Sequence, residues 1–224
     1  MYDRYAIYFT PQGDLAGLGA NWLGWDIAQG CAVPYPNIAG LDIAALTETP
    51  RKYGLHGTIK PPFKLAPGTT VDALMAETEV LCTTLVPVTL DGLELAALGR
   101  FIALIPVGDQ SALARMAATV VRTLDPFRAT PSEAELAHRR RANLSPAQNA
   151  HLARWGYPYV LDQFRFHITL TSKLPKAQVV GMRAGILPIF ERFLGQPLQI
   201  DSLTLVGERA DGMFEEIRRY ALTG

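Results

Sequence analysis

Two stretches constrain the fold of this chain more than any other feature: Tyr53-Gly54-Leu55-His56-Gly57-Thr58-Ile59 and Arg165-Phe166-His167-Ile168-Thr169-Leu170-Thr171. Each is a His-x-Thr-x unit inside a run of strand-forming residues. A strand sends residues i and i+2 to the same face. His56 and Thr58 therefore share one face, with Leu55 and Ile59 on the other. His167, Thr169 and Thr171 share a face in the same way, backed by Phe166, Ile168 and Leu170. An apolar residue precedes each His and follows each Thr, and a Lys-Leu pair lies shortly downstream of both (Lys64-Leu65 and Lys173-Leu174). The plainer alternative is two half-buried strands whose His and Thr bond only to their neighbours.

An imidazole beside a hydroxyl, presented twice, suits a phosphate ester. Histidine is the side chain whose unperturbed pKa leaves both protonation states accessible near neutrality. Cleaving a phosphodiester needs a base to activate the nucleophile and an acid to protonate the leaving oxygen, and two histidines facing one phosphate supply both. His56 and His167 are the candidate catalytic pair; the sequence leaves open which is acid and which is base. Thr58 and Thr169 can donate to non-bridging phosphate oxygens. Lys60 falls on the face of His56 and Thr58 if the strand runs that far. It is then either a phosphate contact or a solvated strand end. Thr171 is a third hydroxyl for the substrate or a polar residue on an exposed strand. Tyr5 and Tyr8 point opposite ways on the first strand, so at most one faces the cleft, and core packing is the simpler role for both.

With these motifs the chain resembles the two-histidine (2H, LigT-like) phosphoesterases, whose signature is a pair of His-x-Thr/Ser-x motifs. The stretches YGLHGTIKPPFKLAPG, RWGYPYVLDQFRFHITLTSKLP and RYAIYFTP are similar to one branch of them, the DUF1045 group associated with phosphonate metabolism. The resemblance covers nearly the whole chain. It implies an α+β, bilobal, duplicated fold: two antiparallel sheets flanked by helices, with a central cleft and one motif in each lobe. It also implies opening of a cyclic phosphodiester or transfer at a 2′ position, without metal or other cofactor.

At 224 residues the chain can bury a sizeable core as one domain or as two small lobes sharing an interior. Formal charge balances to zero, so an extended basic surface for nucleic acid is not the default. Cys31 and Cys82 have no metal spacing, and Cys82 in an apolar stretch reads as a buried reduced thiol. No apolar run reaches the length of a bilayer span, and the N-terminus lacks the apolar region of a signal peptide. The expectation is a cytoplasmic protein that does not contact membrane.

Alternation predicts a first strand over 4–9 and a helix from Asp14 to about Ala28. The first His strand should end at Pro61-Pro62, since proline cannot donate to a ladder. A helix from Thr69 or Thr70, strands near 88–95 and 101–107, and a helix over 111–124 complete a first lobe of about 1–125. The second lobe, about 126–224, opens with helices at Ser132-Glu133 and Ser145-Pro146. A strand over 157–171, a helix over 176–193 and strands over 198–207 and 213–222 follow.

Other motifs carry less. His138-Arg139-Arg140-Arg141 follows Glu133 and Glu135 on a helix, and i,i+4 pairing on a solvated face accounts for it, though one arginine can still reach over a cleft. His151 reads as structural, and no third ligand completes a zinc site. There is no phosphate-cradling glycine loop and no nucleophile elbow. The expected ligand is a small phosphate ester such as a sugar or nucleoside cyclic phosphate. Its rivals are an RNA-end 2′,3′-cyclic phosphodiesterase or ligase, with RNA as partner, and a catalytically silent phosphoester-binding module.

Overall fold

The computed structural model describes residues 2–224. The chain starts with β1 (Tyr5–Phe9), α1 (Gly13–Leu23), a small hairpin of β2 (Trp25–Asp26) and β3 (Cys31–Ala32), then α2 (Ile43–Thr47) and β4 (Gly57–Phe63). Next come α3 (Val71–Thr83), β5 (Val88–Leu90), β6 (Gly92–Leu98), β7 (Phe101–Val107) and α4 (Ser111–Thr123). The rest is α5 (Glu133–Arg140), α6 (Pro146–Trp155), β8 (Ile168–Thr169), α7 (Val179–Phe190), β9 (Leu198–Ile200), β10 (Ser202–Glu208) and β11 (Phe214–Ala221). This is an α+β fold, and its strand pairs are antiparallel.

Seven strands form one sheet in the order β11-β10-β1-β4-β8-β7-β6. The two sheets expected from the sequence are thus joined edge to edge, where β4 meets β8 through the pair Gly57↔Ile168. The halves of this sheet do not coincide with the halves of the chain. β10 and β11, from the C-terminal end, complete the side holding β1 and β4, while β6 and β7 extend β8. A division into lobes at about residue 125 therefore cuts across both sides of the sheet.

Alternation along β1 separates the two faces. Tyr5, Ile7 and Phe9 enter the main core with Ile59, Phe166, Ile168, Leu203 and Leu205. Helical residues Leu74, Leu113, Val120 and Ile186 close over that face. Ala6 and Tyr8 point the other way, into a smaller cluster with Trp25, Ile27, Val206 and Phe214. The second face is left open for the site.

Local chemistry explains where several elements stop. α1 ends at Gly24, whose φ of 68° is a left-handed cap, so Trp25 turns into a hairpin instead of extending the helix to Ala28. α5 and α6 each start in a full capping box, Ser132 with Glu135 and Ser145 with Gln148. β4 does not stop at Pro61-Pro62. The register runs Tyr5↔Phe63 and then Ile7↔Lys60, so the prolines occupy a bulge where no ladder donor is needed. The long strand expected over 157–171 reduces to Ile168–Thr169, because a 3-10 turn at Leu161–Gln163, entered through Leu161 at φ 55°, takes up the chain before it.

Candidate active site

The pairing of β4 with β8 brings the two motifs together. Gly57↔Ile168 is the recorded pair. Carried one residue each way, the antiparallel register sets His56 opposite Thr169 and Thr58 opposite His167. Directly opposed side chains have Cβ atoms about 4.5–5.5 Å apart. Each histidine thus has its own motif's threonine along the strand and the other motif's threonine across it, in a local two-fold arrangement. Gly57 sits at the centre of that arrangement for a steric reason. A Cβ there would lie 2.2 Å from the Phe166 ring, which packs beneath the junction.

Both imidazoles are held in the same way. Nδ1 of His56 donates to the Gly54 carbonyl at 2.9 Å, and Nδ1 of His167 donates to the Arg165 carbonyl at 2.8 Å. In each case the acceptor lies two residues upstream. A carbonyl can only accept, so the Nδ1–H tautomer is fixed and Nε2 is left for chemistry. Thr58 Oγ1 lies 3.1 Å from His56 Nε2 and donates to it when the ring is neutral. Gly54 has φ 64° and ψ 179°, a positive-φ conformation that favours glycine, and its carbonyl is the one that receives His56 Nδ1.

The surroundings of the two rings differ. His56 stacks on Tyr8 with centroids 3.8 Å apart and planes 24° apart, and Tyr8 is fully buried. Burial pulls His56 down to about 4; the Gly54 carbonyl opposes this, and His167, when charged, adds to it. The Nδ1 contact of His167 is exposed to solvent, and its ring lies 5.8 Å from Phe101. A cavity of about 470 Å³ opens beside His56, lined by His56, Thr169, Thr171, Tyr53, Phe101 and Lys173 among others, with His167 and Thr58 outside its wall.

Of the residues expected from the sequence, His56, Thr58, His167 and Thr169 meet at this junction. Thr171 lines the cavity, although its hydroxyl accepts the Ile102 amide at 3.0 Å. Lys60 does not share their face. A second bulge, between Ile7↔Lys60 and Tyr8↔Thr58, breaks the alternation and rotates it into the interior. There Lys60 is 2% exposed and donates to the Val121 carbonyl at 3.1 Å, and burial lowers it to about 8. Tyr53, Phe101 and Lys173 carry no assignment from the sequence, and Tyr8, for which core packing is the simpler reading, is both buried and stacked on His56. For Lys173 a signal was present: it continues the odd-numbered series of His167, Thr169 and Thr171.

Residues 58–215 match the family described as "Protein of unknown function (DUF1045)". The chain is 36% identical to the ribose 1,5-bisphosphate phosphokinase PhnN of Janthinobacterium sp. (strain Marseille), over 99% of this chain and 51% of that one. It is 33% identical to the protein of the same name from Laribacter hongkongensis (strain HLHK9), over 88% of this chain and 46% of that one. The chain therefore spans about half the length of the curated relatives it matches. Among solved structures, a phosphoesterase superposes with a TM-score of 0.49 at 13% identity, covering both chains fully. E. coli LigT complexed with 3′-AMP superposes with a TM-score of 0.47 at 11% identity, again over both full lengths. The match over 58–215, which takes in most of β4 and all of β8, places this chain in the DUF1045 family.

Proposed function

We propose that this protein is a metal-independent phosphodiesterase that opens a small cyclic phosphate. The reading is carried by the pairing of two His-x-Thr units across one antiparallel junction, each with Nδ1 tied to a carbonyl so that Nε2 is the nitrogen left for acid/base chemistry. Binding alone does not call for two acid/base groups in that arrangement, which disfavours a silent binding module. His56 is the base, because burial against Tyr8 keeps it neutral at working pH. Its Nε2 takes a proton from water as the water oxygen bonds to phosphorus. His167 gives its proton to the ester oxygen whose bond to phosphorus breaks. Thr58 and Thr169 donate to the non-bridging oxygens, where negative charge builds up.

The relatives' name narrows the substrate. They are called kinases of ribose 1,5-bisphosphate, and this chain matches about half of each. The sequence contains no Gly-x-x-x-x-Gly-Lys-Ser/Thr phosphate loop, so kinase chemistry is not part of the reading. A phosphodiesterase supplies such a kinase if ring opening leaves phosphate on O1. The five-membered ester that does so is a ribose 1,2-cyclic phosphate carrying a 5-phosphate. Water attacks phosphorus, the bond to O2 breaks, and ribose 1,5-bisphosphate results. The cavity of about 470 Å³ accommodates one such sugar, with Tyr53 and Phe101 against its apolar faces.

The test is hydrolysis of this compound in the presence of a chelator, followed by ³¹P NMR. The expected result is ribose 1,5-bisphosphate as product, with kcat reduced about 10²–10⁴-fold in both His56→Ala and His167→Ala. Turnover that survives either substitution sinks the paired mechanism. Turnover confined to nucleoside 2′,3′-cyclic phosphates moves the substrate to the RNA-end class.

A further inference from the structure

A second polar cavity lies on the same sheet face, at the opposite end of β1 and β4. It holds about 60 Å³ and is lined by Arg4, Lys64, Arg128 and Arg139, with Glu135 and Thr130 also on its wall. One buried water needs roughly 10–15 Å³ of such space, so the cavity has room for one tetrahedral oxyanion. Four cationic side chains thus share a wall on which Glu135 is the one carboxylate. That carboxylate is already engaged: Glu135 accepts from the Ser132 amide at 2.8 Å and from its hydroxyl at 2.9 Å.

The cations differ in what else they hold. Arg4 gives Nε and Nη2 to Glu208, and Arg128, with a side chain only 12% exposed, gives Nε to Asp125 at 2.8 Å, Nη1 to the Ala129 carbonyl at 3.3 Å and Nη2 to the Arg154 carbonyl at 3.1 Å. These two are fixed in place, and each keeps further N–H groups. Lys64 is 4.0 Å from Glu135 at its nearest, and Arg139 lies over the Tyr157 ring at 4.9 Å. Glu208 and Asp125 offset the charges of Arg4 and Arg128, and Glu135 offsets one of Lys64 and Arg139, so one positive charge is left facing the hollow, where guanidinium groups favour tetrahedral phosphate oxygens.

We infer that this hollow is a binding site for a phosphate monoester, separate from the histidine site. Separation follows from the strand. Arg4 is four residues upstream of Tyr8, on which His56 stacks, so their Cα atoms are about 13 Å apart. The two cavities share no lining residue. The bound group bridges the sheet, through Arg4 and Lys64, to the helical segment that carries Arg139. The group the hollow takes is the phosphate of a second molecule, either free or esterified to a sugar.

The site can be tested apart from the catalytic reading by using His56→Ala/His167→Ala protein, in which the histidine site is disabled. Calorimetric titration at constant ionic strength with inorganic phosphate, and separately with ribose 5-phosphate, distinguishes the two sources. The expected result is binding that persists in this background and weakens at least about tenfold when Lys64→Ala and Arg139→Ala are added. Both side chains are peripheral, so the fold survives their loss, and Arg139→Lys should recover part of the affinity. Absence of binding in the double-histidine variant overturns the inference, and so does binding that the Lys64 and Arg139 substitutions leave unchanged.

Discussion

At the residue scale, the two histidines are held alike but buried differently, and this has a pH signature. His56 sits at about 4, below its ordinary value, because its ring is desolvated against Tyr8. As the base it stays competent while pH falls through 6, so the acid limb of kcat/KM is expected near 4. Replacing Tyr8 with Ala admits water beneath the ring and should move that limb upward by about one unit, whereas Tyr8→Phe keeps the stack and the limb. Identical limbs in wild type and Tyr8→Ala would show that stacking does not set the titration. Stability follows from the same shift. The unfolded chain takes up a proton at His56 near 6.5 and the folded chain only near 4, so stability contributed by this residue is lost as pH falls across that window. His56 and Thr58 were legible in the sequence because i and i+2 share a strand face. Tyr8 was not, because its contact with His56 is made across two strands and depends on register.

At the scale of elements, β4 departs furthest from sequence expectation, and its two bulges are the reason. Period-2 reading put Lys60 beside His56, and each bulge adds a residue that resets the alternation. Lys60 therefore bonds to the Val121 carbonyl inside the protein, where burial disfavours its charged form. The folded-state value of about 8 lies below the ordinary 10.5, so burying the charge costs stability as pH falls through that interval. Lys60→Met is accordingly expected to leave kcat/KM within about twofold and to leave thermal stability unchanged or raised. A large loss of activity with the fold intact would return Lys60 to the phosphate. At the β4–β8 junction, the Cβ of Gly57→Ala meets Phe166 at 2.2 Å. A cost of about 1–3 kcal/mol is expected. Adding Phe166→Leu should recover part of the stability and, because register sets the histidine pairing, part of the activity. Neither bulge left a mark in the sequence beyond Pro61-Pro62, which signalled an interrupted ladder and was read as its end.

At the scale of the molecule, the order of strands decides how the protein comes apart. A duplicated pair of His-x-Thr motifs suggested two lobes in sequence order, and motif spacing alone cannot show which strands exchange partners. In the structure β10 and β11 complete the side of the sheet that begins with β1, while β6 and β7 extend β8. The C-terminal residues reinforce this: the Thr223 amide donates to the Cys82 carbonyl and the Gly224 amide to the Leu85 carbonyl, both at the end of α3. A fragment ending at residue 125 would leave β1 without β10 and would lose β8 from between β4 and β7. Each break exposes strand edges and core residues such as Leu203 and Leu205 on one side and Leu93 and Ile102 on the other. Neither fragment 1–125 nor fragment 126–224 is therefore expected to fold alone, whereas the two co-expressed should associate and restore the seven-stranded sheet. Circular dichroism and size exclusion of the separate and combined fragments check this. A cooperative melt from either fragment alone would mean that the lobes are independent after all. Activity only in the combined sample would show that His56 and His167, one on each fragment, work as a single site.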